Sequence, residues 1–233
     1  MTLSVQVIAH RGASRAEPEN TVQAFRRAAQ MGSDAAELDV RRTRDGVLVV
    51  HHNPDLRDGR VIVHTDAADL PPSVPTLQAA LDACAGMWVN VEIKNDTNEP
   101  DFDATDAIAD QTMALLIERD EHQRWVVSSF RIETIDRCRA IADELKLAIR
   151  TAWLTSVVPV DVSAMLVQRG HVALHPWVRL LSRDVIDDCH ANGLQVNTWT
   201  CDDPDRMREL IEWGIDGICT NQPEVALAVL GRT

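Results

Sequence analysis

Eight short β-branched runs, each leading into a stretch of helical length, predict a single α/β domain of the (β/α)₈ TIM barrel class. Two further observations support this. The chain has 233 residues, close to the ~250 that one such barrel typically uses. The Gly-rich fingerprint that an open doubly wound sheet carries after its first strand is missing, which sets aside the main rival.

The strands are expected at 5–10, 34–39, 88–93, 125–129, 147–151, 172–175, 195–199 and 216–219. The helices between them are expected at 21–30, 77–83, 103–119, 132–143, 162–168, 183–191, 204–213 and 223–230. Ser182 and Asp203 stand where N-caps belong, and Asn221 shortly precedes Pro223 in the same sense. Gly193 and Gly214 follow two of the helices, where a left-handed residue ends the last turn. A further strand-like run, 46–52, is led by the turn signal Asp45-Gly46, and residues 53–75 read as a short excursion over one barrel mouth. The whole of 1–233 is expected to form one domain.

The formal net charge is −13, which repels nucleic-acid backbones and anionic lipid. A phosphate must therefore be held by a local cluster of cations or by a metal. No window approaches the ~20 apolar residues of a membrane span. The first residues show no basic start followed by a long apolar run, so a cytoplasmic protein without membrane insertion is expected. Cys84, Cys138, Cys189, Cys201 and Cys219 show no metal-ligand spacing and read as core residues of a reducing compartment.

Barrel active sites lie at the C-terminal ends of the strands, so the polar residues that end each strand are the informative ones. Glu37 and Asp39 are two apart and share a face, and Glu92 on the neighbouring strand can reach the same point. Three inward carboxylates need a counter-charge. With only oxygen ligands, one hard divalent cation, Mg²⁺ or Ca²⁺, fits. His10 ends the first strand. His51 and His52 end the extra one on opposite faces, so one of these two can join His10 as a general acid–base pair for phosphoryl transfer. Arg11 and Lys94 supply a small cationic focus for phosphate. Trp199 can pack against an organic group of the substrate.

These residues fall in runs that resemble the glycerophosphodiester phosphodiesterase family: His10-Arg11-Gly12, Pro18-Glu19-Asn20-Thr21, Ala24-Phe25, Glu37-Leu38-Asp39-Val40, Val49-Val50-His51-His52, Val91-Glu92-Ile93-Lys94, Ser129-Phe130, Trp199-Thr200 and the stretch from Gly214 to Thr220. The resemblance spans nearly the whole chain in order, with four separated motifs inside the first 60 residues. It implies a metal-dependent barrel enzyme that hydrolyses small glycerophosphodiesters to glycerol 3-phosphate and an alcohol. It implies His10 and His52, rather than His51, as the acid–base pair, and Glu37, Asp39 and Glu92 as metal ligands. It further implies Arg11 and Lys94 as phosphate contacts, Trp199 on the glycerol side, and Glu19 as a residue that orients its neighbours or approaches the metal. Two positions depart from the family pattern: Asn53 and Asn221 stand where Asp is usual. Losing the charge at 53 is expected to lower the pKa of His52. The short excursion implies a more open site. A lysophospholipase D-like lipid phosphodiesterase and a non-catalytic barrel that binds the diester are the alternatives. An exposed apolar lip would mark the first, and a lost histidine or carboxylate the second.

Overall fold

The computed structural model describes residues 4–232. The first three residues of the N-terminal run read above lie outside that range. In chain order the strands are β1 (Gln6–Ala9), β2 (Ala35–Arg42), β3 (Leu48–Val50), β4 (Trp88–Ile93), β5 (Trp125–Ser129), β6 (Arg150–Thr155), β7 (Ala173–Pro176), β8 (Gln195–Thr198) and β9 (Gly217–Thr220). The helices are α1 (Val22–Met31), α2 (Leu77–Ala83), α3 (Ala107–Glu118), α4 (Ile132–Glu144), α5 (Val162–Gln168), α6 (Arg183–Ala191), α7 (Pro204–Glu212) and α8 (Pro223–Val229). All strands except β3 run parallel, and β1 pairs with both β2 and β9, so the sheet closes on itself. This is the (β/α)₈ barrel that the alternation predicts. The extra strand β3 is antiparallel and extends the C-terminal end of β2, with Val40 opposite Val50.

Side chains alternate across each strand, and the two faces have different jobs. Outward residues such as Leu38, Val91, Val127, Leu174, Val196 and Ile218 are buried beneath the helices. Inward residues fill the lower barrel with small apolar groups, including Ile8, Ala35, Cys219, Val126, Ala152 and Ala173. The interior is tight: a Cβ on Gly217 would lie 2.3 Å from Asn197 Oδ1. With this packed interior below, the polar strand ends are gathered at one mouth. All five cysteines are buried and unpaired. No helix of the described residues is long and apolar enough to cross a membrane.

The excursion after β3 carries its own small core, in which Leu56 and Ile62 pack on Val49 with Leu70 and Val74 at its edge. Its apolar side chains thus face the barrel and form no exposed lip.

Three local expectations change. The strand expected at 147–151 is shifted: residues 147–149 lie outside it, and β6 begins at Arg150. Leu147 instead completes a Schellman cap on α4, its N–H donating to Ala142 O (2.8 Å) and that of Lys146 to Asp143 O (3.1 Å). Residues 103–106 stay out of α3 because Asp103 accepts hydrogen bonds from the N–H groups of Thr105 and Ala107 and folds them into a turn. Asn221 does not cap α8, which starts from Gln222 without a side-chain cap; its amide turns to the barrel mouth instead. Ser182 and Asp203 do cap α6 and α7.

Lys146 occupies the left-handed region at φ 55° in that Schellman cap, where a Cβ is penalised. Lys146→Gly is expected to raise the unfolding free energy in urea by about 0.5–1 kcal/mol. A loss of stability would contradict this account of how α4 ends.

Candidate active site

The site begins with a turn. β1 ends at Ala9, and the chain reverses through Arg11 and Gly12, both at positive φ. A Cβ at Gly12 would lie 2.6 Å from the backbone of Ala24, so only glycine lets the turn sit against α1. The turn aims the Arg11 N–H at Glu37 Oε2 (2.9 Å) and leaves His10 at the rim. Asn20, also left-handed and buried, ties the start of α1 to β2: its Nδ2 donates to Asp39 Oδ2 (2.7 Å).

β2 and β4 are in register with Asp39 opposite Glu92. Oxygens of Glu37, Asp39 and Glu92 lie within 4.8 Å of one another, and all three residues are buried. Glu37 Oε1 and Asp39 Oδ1 have no hydrogen-bond partner. Buried carboxylate oxygens are rarely left so, and an all-oxygen set of this kind fits a hard divalent cation.

The electrostatics split the three acids. Burial, together with Asp39 and Glu92, drives the pKa of Glu37 well above the ordinary glutamate value. Burial also raises Glu92, against the pull of Lys94. Burial opposes ionisation of Asp39 too, but Lys94, Arg11 and His52 outweigh it and hold its pKa at about 2. The Lys94 ammonium stands 2.8 Å from Glu92 and 3.6 Å from Asp39. These carboxylates overcome its burial and keep its pKa above the usual lysine value.

His10 and His52 both line the cleft, which also touches Arg11, Glu37, Glu92 and Lys94. His10 is held through Nδ1 by Asn221 Oδ1 (2.7 Å), and its Nε2 lies 4.0 Å from Glu37 Oε2. His52 is held through Nδ1 by Asn53 Oδ1 (2.7 Å). The two positions where the chain departs from the family pattern therefore both meet an imidazole. Burial lowers the pKa of both rings; for His10 the Arg11 charge adds to it, and for His52 Asp39 opposes it while Lys94 and Arg11 assist. His51 turns away, its ring bonded to the Asn53 carbonyl.

Glu19 is not part of the acidic cluster. Its carboxylate is half exposed and orients Arg11, whose Nη1 donates to it at 3.0 Å. Trp199 donates from Nε1 to the His175 carbonyl and meets Phe130 edge to face, with ring centroids 5.2 Å apart. Phe130, with Lys94 Nζ 5.8 Å from its centroid, forms an apolar wall of the cleft.

Arg41 was missed by the sequence reading. It is fully buried, donates from Nε to the His52 carbonyl (2.9 Å), and is itself held by Asp101 and Glu99. It clamps the backbone that presents His52. The signal was available: Arg41 is two residues beyond Asp39 on the same strand face. Asn20 was quoted only as part of a motif, yet it makes the buried contact beside the exposed Glu19.

Because the folded-state pKa of Glu37 is raised, the metal-free protein loses stability as pH climbs from the ordinary value of 4.5 through that raised value. At pH 8, Glu37→Gln is expected to melt a few degrees higher than the parent without metal, since ~1 kcal/mol corresponds to about 2–4 °C in a chain of this size. The gain should vanish by pH 4. A variant that melts lower than the parent at pH 8 would overturn the description of Glu37 as a buried carboxyl whose ionisation the metal-free fold disfavours.

The sequence profile of the glycerophosphoryl diester phosphodiesterase family matches residues 10–225. A glycerophosphodiester phosphodiesterase of Caldanaerobacter subterraneus is 30% identical, over 97% of this chain and 98% of its own. The solved structure of an Oleispira antarctica phosphodiesterase in complex with the product sn-glycerol-3-phosphate superposes with a TM-score of 0.83 at 26% identity, covering 97% of this chain and 96% of that one. A glycerophosphodiester phosphodiesterase from Parabacteroides distasonis shares the fold, with a TM-score of 0.85 at 24% identity and coverage of 99% and 98%. The chain belongs to the glycerophosphoryl diester phosphodiesterase family.

Proposed function

We propose that the chain hydrolyses small glycerophosphodiesters to glycerol 3-phosphate and an alcohol, with His10 and His52 as the proton-transfer pair and Glu37, Asp39 and Glu92 as ligands of one divalent cation. The observation that carries the reading is the pair of buried oxygens without a hydrogen bond, Glu37 Oε1 and Asp39 Oδ1, the latter 3.6 Å from Lys94 Nζ, in a cleft that both imidazoles line. A cation bound there, Mg²⁺ or Ca²⁺, supplies polarisation of the phosphoryl oxygens and charge neutralisation.

The remaining chemistry belongs to the protein. Arg11 and Lys94 face the cleft and hold the anionic phosphate, balancing the −13 of the whole chain at one point. One imidazole accepts a proton from the attacking oxygen as a new P–O bond forms; that oxygen is either water, which gives glycerol 3-phosphate directly, or the glycerol hydroxyl, which gives a cyclic phosphate that water then opens. The other donates a proton to the alkoxide as the old P–O bond breaks. The lowered pKa values keep the accepting ring neutral at physiological pH. Phe130 and Trp199 shield the glycerol moiety on one side.

A lipid substrate is the second reading, favoured by one observation. Val157 and Val160, in the loop after β6 at the same mouth, are 66% and 104% exposed. A panel of water-soluble glycerophosphodiesters set beside lysophospholipids separates the two readings. Turnover confined to the lysophospholipids would reject the first.

His10→Ala and His52→Ala are each expected to reduce turnover by roughly 10²–10⁴-fold. Near-native rates in both would remove the acid–base assignment. Chelation should abolish turnover and add-back of Mg²⁺ or Ca²⁺ restore it, with Glu37, Asp39 and Glu92 variants needing more metal; full activity after exhaustive chelation would refute the metal assignment. The acidic limb of kcat/KM should lie below pH 6.5, the ordinary imidazole value, because both rings are lowered. A limb above it would contradict the electrostatics described.

A further inference from the structure

The amide of Asn221 is gripped from two sides. Its Nδ2 donates to Asp202 Oδ2 (2.6 Å), while its own backbone N–H and the Thr220 hydroxyl donate to Asp202 Oδ1 (2.8 Å each). An ionised carboxylate can only accept. The amino side of the amide must therefore face Asp202, and its oxygen must face the other way. There it accepts from the Ser14 hydroxyl (3.0 Å) and stands 2.7 Å from His10 Nδ1. An amide oxygen is likewise only an acceptor, so the His10 proton belongs on Nδ1, and the lone pair belongs on Nε2, the nitrogen near Glu37. His52 is held less firmly: Asn53 is exposed, and no second side chain among the described residues grips the far side of its amide.

We propose that Asp202, which lies in the loop after β8 and outside the cleft lining, is a positioning residue that acts through Asn221 to hold His10 in the tautomer whose Nε2 faces the substrate as a proton acceptor. The proposal rests on His10 taking part in proton transfer, as proposed above, and adds what fixes its working form. It also gives the substitution at 221 a physical sense. An amide beside the imidazole works as an acceptor only if a fixed charge behind it prevents the amide from turning over, and Asp202 is that charge.

The arrangement makes an exchange test available. Asp202→Asn puts a group that can donate or accept behind Asn221 and releases the constraint. Asn221→Asp alone brings two carboxylates together. The double exchange Asp202→Asn/Asn221→Asp rebuilds a one-way pair, with an acceptor beside the imidazole and a donor behind it.

The readout is the ¹⁵N spectrum of the full chain labelled at histidine, recorded at pH 8 with His10 assigned by loss of its signals in His10→Ala. The parent should show protonated Nδ1 and unprotonated Nε2. Asp202→Asn should populate the Nε2–H form and lower kcat at least ~10-fold, as expected when a catalytic imidazole is held in the wrong tautomer, with KM little changed. The double exchange should restore the Nδ1–H form and most of the turnover. Folded Asp202→Asn protein that keeps His10 wholly Nδ1–H would overturn the proposal. So would a double exchange as impaired as the single one. If Asp202→Asn does not fold, Asn221→Ala carries the same test, because removing the acceptor should also let the Nε2–H form appear. The spectrum is independent of turnover: an active His10→Ala protein would reject the acid–base reading, whereas an unmoved tautomer would reject only this one.

Discussion

Three buried carboxylates on two neighbouring strands cannot share a barrel mouth without help, and much of the surrounding structure answers that constraint. Lys94 and Arg11 reach in from either side and keep Asp39 ionised. Asn20 donates to one oxygen of Asp39, and the Arg11 backbone donates to one oxygen of Glu37. What these groups leave without a hydrogen bond, Glu37 Oε1 and Asp39 Oδ1, marks the place proposed for a cation. The arrangement is costly to the fold and useful to the chemistry, which is the usual relation between stability and an active site.

The histidines depend on the same economy of positions. Neither imidazole is oriented by a carboxylate directly. Each meets an amide oxygen, from Asn221 or Asn53, so the protein avoids adding two more negative charges beside an acidic cluster. Direction then has to be imposed from behind the amide. Asp202 does this for His10; for His52 no side chain among the described residues grips Asn53 from behind, and Arg41 instead holds the His52 backbone by donating to its carbonyl. The charges that organise the rings are thus set one residue back from the cleft.

Much of the fold was legible because alternation of short β-branched runs and capped helical stretches leaves few topologies open. The acidic triad was legible for a simple reason: period-2 geometry places Glu37 and Asp39 on one face, and parallel register brings Glu92 beside them. Arg41 obeyed the same period and was still overlooked, because a buried arginine reads as a surface charge until its partners Glu99 and Asp101, some 60 residues on, are folded beside it. Leu147 was misread as a strand because an apolar residue after a helix fits a Schellman cap as well as it fits a strand start. Asn221 was misread as a helix cap because its true partners, His10 and Asp202, lie on other barrel units, and spacing along the chain carries no trace of them.

The central claim is that Glu37, Asp39 and Glu92 converge on one divalent cation at the barrel mouth. Anomalous diffraction from crystals of the protein grown with Mn²⁺ as a stand-in for Mg²⁺ tests it most directly. The account requires a peak bonded to oxygens of all three carboxylates, at about the 2.0–2.6 Å of hard-cation coordination, within reach of the substrate phosphate. An empty triad in crystals of active, metal-saturated protein, or a cation bound elsewhere, would contradict it.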